Sequence, residues 1–192
     1  MTVSLATRIL NNPQFVVVAG PNGAGKSTYA RSVMVDRVPV IDPDRPTSRP
    51  LNAVSTGRSV LGEVRRRFDN GESFAVETTL SGRLPRKWIA TALSLGYDVT
   101  LYYISLSSPE IAIGRVHLRV EQGGHDVPEQ DIRRRFVRSL AELRIVAPLV
   151  DRLVVIDNSQ SPGYRVVLDR VGSQSRRIRS IPAYLAELVN VL

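Results

Sequence analysis

The sequence predicts an α/β fold: a mostly parallel sheet of five or six strands between two layers of helices, with a helical lid. Three observations lead there. Short apolar runs alternate with longer stretches of helical spacing, so the order strand, loop, helix repeats along the chain. The first apolar run, Phe15 to Ala19, opens directly into the glycine-rich loop Gly20-Pro21-Asn22-Gly23-Ala24-Gly25-Lys26-Ser27-Thr28. Two later helical stretches are separated by Gly123-Gly124-His125, which makes them a candidate lid over about residues 109–135. At 192 residues the chain, 1–192, reads as one domain.

Each element has a local reason. Phe15 to Ala19 is continuously apolar, as a strand buried on both faces is. A helix from Lys26 to about Met34 follows the loop, and Val38 to Ile41 is a short second strand. Three prolines within 43–50 keep the next segment out of helix. Helical spacing resumes from about Leu51 to Asn70, with Gly57 and Gly62 as candidate break points and Asn70-Gly71 as the turn. Ser73 to Val76 is the third strand, ending at Glu77. Leu84 to Leu95 is a helix anchored by Trp88 and Ile89, with Gly96 as its cap.

Val99 to Leu106 is the longest β-prone run. Ser107-Ser108-Pro109-Glu110 starts a helix that reaches about Val120. After the glycines, Asp126-Val-Pro-Glu129 reads as a capping box, and Ile132, Phe136, Leu140 and Leu143 form one apolar stripe. Leu153 to Ile156 is the fifth strand. Tyr164 to Leu168 is a sixth or edge strand, with Arg177 to Ile181 as its partner across Gly172 to Ser175. Residues 183–191 suggest a terminal helix, and residues 3–12 a short helix or a loose arm.

Composition narrows the chemistry. There is no cysteine, which excludes disulfides, thiolate zinc sites and thiol redox chemistry and is compatible with a cytoplasmic protein. No apolar run reaches membrane-spanning length, so no membrane partner is expected. The net charge of +8 is carried almost wholly by arginine, Lys26 and Lys87 being the lysines. Arginine makes two-pronged contacts to phosphate and carboxylate. Aromatic residues are 6% of the chain and are not interleaved with arginine, so nucleic acid is not expected as the primary partner. Arg165, Arg170, Arg176, Arg177 and Arg179 form a basic section that reads either as a partner-docking surface or as a solvated face.

The loop Gly20 to Ser27 fits G-x-x-x-x-G-K-[ST] in its required strand–loop–helix setting. Its backbone N–H groups would wrap phosphate oxygens. Lys26 reaches the β- and γ-phosphates of ATP, and Ser27 offers its hydroxyl to Mg²⁺. A kinase also needs an acid for the acceptor hydroxyl and positive charge over the transferred group. Asp44 is the first choice for that acid, with Asp42 beside it as a turn cap or a water-mediated Mg²⁺ contact. Glu77 and Thr79 at the end of the third strand can hold a polar acceptor, and Arg83 lies next to them. Arg115 and Arg119, four apart on one helix, share a face. Arg133 and Arg135 flank the apolar stripe of the next helix, while Arg134 points away from it. His125 at the glycine hinge contacts phosphate or caps backbone, and His117 is a surface or packing residue.

Taken together, these motifs resemble the zeta-toxin family, nearest to its free-standing zeta-like kinases. The resemblance rests on Gly20 to Thr28, Ile41-Asp-Pro-Asp44, Glu77-Thr-Thr-Leu-Ser-Gly82, Gly96 to Tyr103, Arg115-Val-His-Leu-Arg119, Gly123 to Pro128, Arg133-Arg-Arg-Phe136 and Asp157-Asn-Ser159, and covers about residues 14–159. It implies a P-loop kinase fold. It further implies ATP-dependent phosphorylation of the 3′-hydroxyl of the amino sugar in UDP-N-acetylglucosamine, by a toxin paired with a small antitoxin. On that resemblance Asp44 is the base, Lys26 and Ser27 hold ATP and Mg²⁺, and Glu77 and Thr79 bind the sugar nucleotide. Arg119, or its neighbour Arg115, matches a lid arginine. His125 stands where the toxins carry a second lid arginine, unless Arg134 or Arg135 takes that role. Asn158 lies where such enzymes run a loop past the adenine. Asp42 stands where the zeta-like group commonly has asparagine. Kinases of other hydroxylated metabolites and nucleotide-binding or nucleic-acid-associated ATPases are the alternative classes.

Overall fold

The computed structural model describes residues 12–34, 38–42, 53–161, 163–177 and 180–191. Asp44, the proline-rich segment 43–50 and the N-terminal stretch 3–11 lie outside these residues. The strands are β1 (Gln14–Ala19), β2 (Val40–Ile41), β3 (Phe74–Thr78), β4 (Asp98–Ser105), β5 (Arg152–Asp157), β6 (Arg165–Val171) and β7 (Gln174–Arg177). The helices are α1 (Lys26–Met34), α2 (Ala53–Asp69), α3 (Arg83–Ser94), α4 (Pro109–Glu121), α5 (Glu129–Val146) and α6 (Ala183–Val191), with a 3₁₀ turn at Ala147–Leu149.

One seven-stranded sheet runs in the order β2-β3-β1-β4-β5-β6-β7. The first five strands are parallel, and β6 and β7 are antiparallel. Strand β1 pairs β3 on one side and β4 on the other, so the strand order switches at β1. A crevice at the carboxyl end of such a strand is where parallel sheets bind ligands. The phosphate loop leaves β1 at that position.

The period of two along buried strands sends alternate side chains to opposite faces. Phe15, Val17, Val99, Leu101 and Tyr103 pack on one face with α2, α3 and the last turn of α5. Val16, Val18, Tyr102 and Ile104 pack on the other with α1, α4 and the first half of α5. Helix α5 thus contributes Ile132 and Phe136 to one core and Leu143 and Val146 to the other. Tyr103, fully buried, shares a hydrogen bond of 3.0 Å with Ser139 from α5. Trp88 packs against the first core, as a helix anchor should.

Four local expectations are corrected. Helix α2 runs unbroken through Gly57 and Gly62, because the two glycines are single interruptions in a 17-residue amphipathic helix. The capping box does not form: Pro128 is the N-cap of α5, and no side chain caps it. Its carbonyl accepts the N–H groups of Asp131 and Ile132 instead. The partner of β6 begins at Gln174, not Arg177, because Gly172-Ser173 closes a two-residue hairpin with Val171 opposite Gln174. The resulting β7 brings the sheet to seven strands, beyond the five or six expected. Arg170 is not docking surface. It is buried against β5, and its guanidinium donates to the carbonyls of Ala147, Val150 and Gly172.

Candidate active site at the phosphate loop

The loop is packed tightly between β4 and α4. A Cβ at Gly20 would meet the backbone oxygen of Ile104, and one at Gly23 would come within 2.6 Å of the Ala112 oxygen. Glycine is needed there for close backbone approach. Pro21, Asn22 and Ala24 are buried, and the Oδ1 atom of Asn22 has no hydrogen-bond partner among the described residues. Lys26 starts α1 and donates from Nζ to the Pro21 carbonyl at 3.0 Å, folding back across the loop. Thr28 faces solvent in the first turn of α1.

Ser27 and Glu77 meet across the gap between α1 and β3. The hydroxyl of Ser27 donates to Oε2 of Glu77 at 2.7 Å, and Glu77 is 5% exposed. A small cleft beside this pair is lined by Ser27, Ala30, Arg31, Val40, Asp42 and Glu77. Asp42 enters it from the end of β2. Arg31, which the sequence reading overlooked, lies one turn beyond Ser27, and its Nε donates to the Ser27 carbonyl at 3.0 Å. Four-residue spacing on a helix would have flagged it. The donor set around the cleft is a hydroxyl and two carboxylates. Oxygen donors of this kind suit Mg²⁺, which takes one or two carboxylates and keeps several waters. Among the described residues no group of three or more His, Asp or Glu gathers into a ready-made metal cage.

The segment after β3 is folded on itself. Thr79 Oγ1 and Ser81 Oγ lie 2.8 Å apart, and the Thr78 hydroxyl accepts the N–H of Leu80 at 3.0 Å. Leu80 is fully buried with φ of 51°, a left-handed conformation costly for a branched side chain. Arg83 is exposed at the first position of α3.

The candidate lid arginines already have local contacts. Arg115 donates to the Asn158 carbonyl at 2.8 Å and to the Gly23 carbonyl at 3.5 Å. Arg119 donates to the backbone oxygen of His125 at 2.6 Å, across the turn that joins α4 to α5, and its buried Nε has no partner among the described residues. The His125 ring is exposed. Arg134 and Arg135 pair with Asp131 at 2.7 and 3.8 Å. The two helices are tied by Arg133 to Glu110 at 2.6 Å and by His117 to Glu129 at 3.4 Å.

At the end of β5, Asp157 holds the following loop in place. It accepts from Tyr184 of α6 at 2.7 Å, from the N–H of Ser159 at 3.0 Å and from Arg165 at 2.8 Å. Burial works to raise its pKa, but bonds from Ser159, Tyr184 and Arg165 outweigh it and hold the carboxyl below its usual value. Asn158 is buried, and its amide is turned to the phosphate loop.

No protein-family model matches this sequence. An uncharacterized protein of Haemophilus influenzae is 34% identical over 128 residues, which is 63% of this chain and 91% of that one. The chain belongs to the family of that Haemophilus protein. Among solved structures, the AvrRxo1-ORF1:-ORF2 complex with ATP contains a chain that superposes with a TM-score of 0.69 at 16% identity, covering 96% of this chain. The present chain spans 64% of that longer one. A structure of the PezAT chromosomal toxin–antitoxin system of Streptococcus pneumoniae superposes with a TM-score of 0.64 at 19% identity, covering 94% of this chain and 84% of that one. The chain therefore has the zeta-toxin-like P-loop kinase fold. No helix among the described residues is long and apolar enough to cross a membrane.

Proposed function

We propose that the protein is an ATP-dependent small-molecule kinase that phosphorylates a sugar hydroxyl, with UDP-N-acetylglucosamine as the leading acceptor. The carrying observation is the 2.7 Å bond between Ser27 of the phosphate loop and Glu77 of β3, beside a cleft that Asp42 also lines. A phosphate-loop hydroxyl bonded to a strand-end acid is the arrangement that holds the metal of a nucleoside triphosphate. Mg²⁺ bound there would neutralise charge on the β- and γ-phosphates. Lys26 releases Pro21 and binds the phosphates in its place. Asp44, two residues beyond Asp42, takes the proton of the acceptor hydroxyl as its oxygen attacks the γ-phosphorus and ADP leaves. Thr79 and Arg83 bind the acceptor. Arg119, with His125 in the turn after its helix and Arg134 and Arg135 on the next helix, supplies the positive side of the lid over about residues 109–135.

The chain acts in the cytoplasm as the toxin of a pair whose small antitoxin covers the cleft. The likeness in fold to a chain of the PezAT system supports that reading. Purified protein with Mg²⁺ and ATP, with and without UDP-N-acetylglucosamine, tests it by product mass. A product heavier by one phosphoryl group, lost in Asp44→Asn while ATP still binds, is expected. Absence of such a product from protein that binds ATP would discard this acceptor and direct the search to other hydroxylated metabolites.

A further inference from the structure

Three consecutive carbonyls of the phosphate loop are held from outside it. The Gly23 carbonyl accepts from Arg115 at 3.5 Å, the Ala24 carbonyl from Nδ2 of Asn158 at 2.8 Å, and the Gly25 carbonyl from the Tyr164 hydroxyl at 2.8 Å. Gly25 also accepts the N–H of Tyr29, the first bond of α1, at 3.0 Å. A trans peptide is planar, with N–H and C=O on opposite sides. Fixing the Ala24 carbonyl outward therefore turns the Gly25 N–H inward. Fixing the Gly25 carbonyl does the same for the N–H of Lys26. These inward N–H groups are the ones a phosphate loop presents to its anion.

The holders are themselves over-determined. Oδ1 of Asn158 accepts the N–H of Tyr164 at 3.2 Å, so both ends of one amide join the loop to the start of β6. Tyr164 sits at φ of 60°, which costs a non-glycine residue energy and persists only where surrounding contacts demand it. Its ring lies 5.4 Å from that of Tyr29. A Cβ at Gly25 would come within 2.5 Å of the Tyr164 hydroxyl and 2.9 Å of the Asn158 amide, so the clamp also requires glycine there.

We propose that Tyr164 and Asn158, supported by Arg115, form a carbonyl clamp that presets the phosphate loop for polyphosphate. They are positioning residues: they act through the loop backbone and touch no nucleotide atom. The proposal rests on the reading of the loop as a nucleotide site but not on any acceptor. It separates Asn158 from a direct adenine contact, because a clamp acts on the phosphates alone.

The test measures Kd for ADP and for inorganic tripolyphosphate, both with Mg²⁺, in the full chain and in Tyr164→Phe and Asn158→Ala, with thermal melts of each. Tyr164→Phe removes a single hydroxyl from a ring that keeps its packing, so the fold is retained. The clamp predicts that both ligands weaken together, about fivefold in Tyr164→Phe, the scale of one lost hydrogen bond, and more in Asn158→Ala. Unchanged affinity for both in Tyr164→Phe overturns it. Weakened ADP with unchanged tripolyphosphate in Asn158→Ala overturns it too, and assigns Asn158 to the base. Failure of the unsubstituted chain to bind either ligand rejects the nucleotide site itself, and the clamp falls with it.

Discussion

Ser27 and Glu77 are fifty positions apart, yet the serine hydroxyl lies 2.7 Å from the glutamate carboxylate. The contact exists because β1 and β3 pair in parallel, with Val18 opposite Glu77. It places an acid beside the hydroxyl that a metal would use. Glu77→Gln keeps the shape and removes the charge. Phosphoryl transfer should fall about 100-fold or more, the scale of losing one electrostatic stabiliser of a transition state. Nucleotide binding without metal should change little. Turnover measured across a Mg²⁺ titration checks this, and an unaltered Mg²⁺ dependence would remove Glu77 from the metal site.

Asp157 joins β5, the loop after it, β6 and α6 through four side-chain and backbone donors. Its carboxyl is held below its ordinary value of 3.8. Such a group contributes stability above that value and loses it as pH falls through its lower native pKa. Asp157→Asn should cost about 2 kcal/mol near neutrality, as for lost hydrogen bonds to a charged group. It should also flatten the acid limb of stability below pH 3.8. Urea unfolding from pH 6 down to pH 2 measures both.

Tyr184 answers at the other end of the scale. Burial, with the nearby Asp157 charge, pushes its phenol up to about 12 against hydrogen bonds from Ser105 and Ser159. The native state favours the neutral phenol, so its contribution is complete below pH 10 and is lost as pH rises through about 12. Burial also raises Tyr103 and Tyr97. An ultraviolet titration of the native protein should show late-ionising tyrosines, and Tyr184→Phe should remove one of them. An unchanged late fraction in that variant would contradict the burial of its hydroxyl.

Arg170 ties the β6–β7 hairpin to the 3₁₀ segment through the carbonyls of Ala147 and Val150, and braces the hairpin's own turn through that of Gly172. Arg170→Ala leaves buried acceptors unsatisfied and removes a packed stem. Unfolding free energy should fall by about 3 kcal/mol. Affinity for an acidic polymer such as heparin should stay the same, because Arg170 is 7% exposed and is not surface charge. A loss of heparin binding with unchanged stability would return Arg170 to the surface.

The helix and strand pattern was legible because it rests on local causes. Continuous apolar runs marked β1, β4 and β5, and Ser108 with Pro109 marked the start of α4, where the serine does cap Ile111. The loop was legible because its glycines, lysine and hydroxyl fall at the set spacings of a phosphate-loop pattern between a strand and a helix. The capping box failed for a local reason of its own: Pro128 already has an extended N-cap geometry with ψ of 137°, so Asp126 is left outside the helix.

The layered α/β class and the glycine-rich loop after β1 were therefore legible in the chain alone. Those depend on period, composition and short-range spacing. Tertiary structure alone decided which distant groups meet. Nothing near Tyr164 in the chain announces a bond to Gly25, 139 positions away, and nothing near Arg170 announces burial. Arg115 reads as a lid residue by helical spacing, yet its guanidinium faces the Gly23 and Asn158 carbonyls. The physical reason is common to all three. A polar side chain takes its role from the unsatisfied backbone groups that packing brings to it, and only the assembled sheet and helices place those groups.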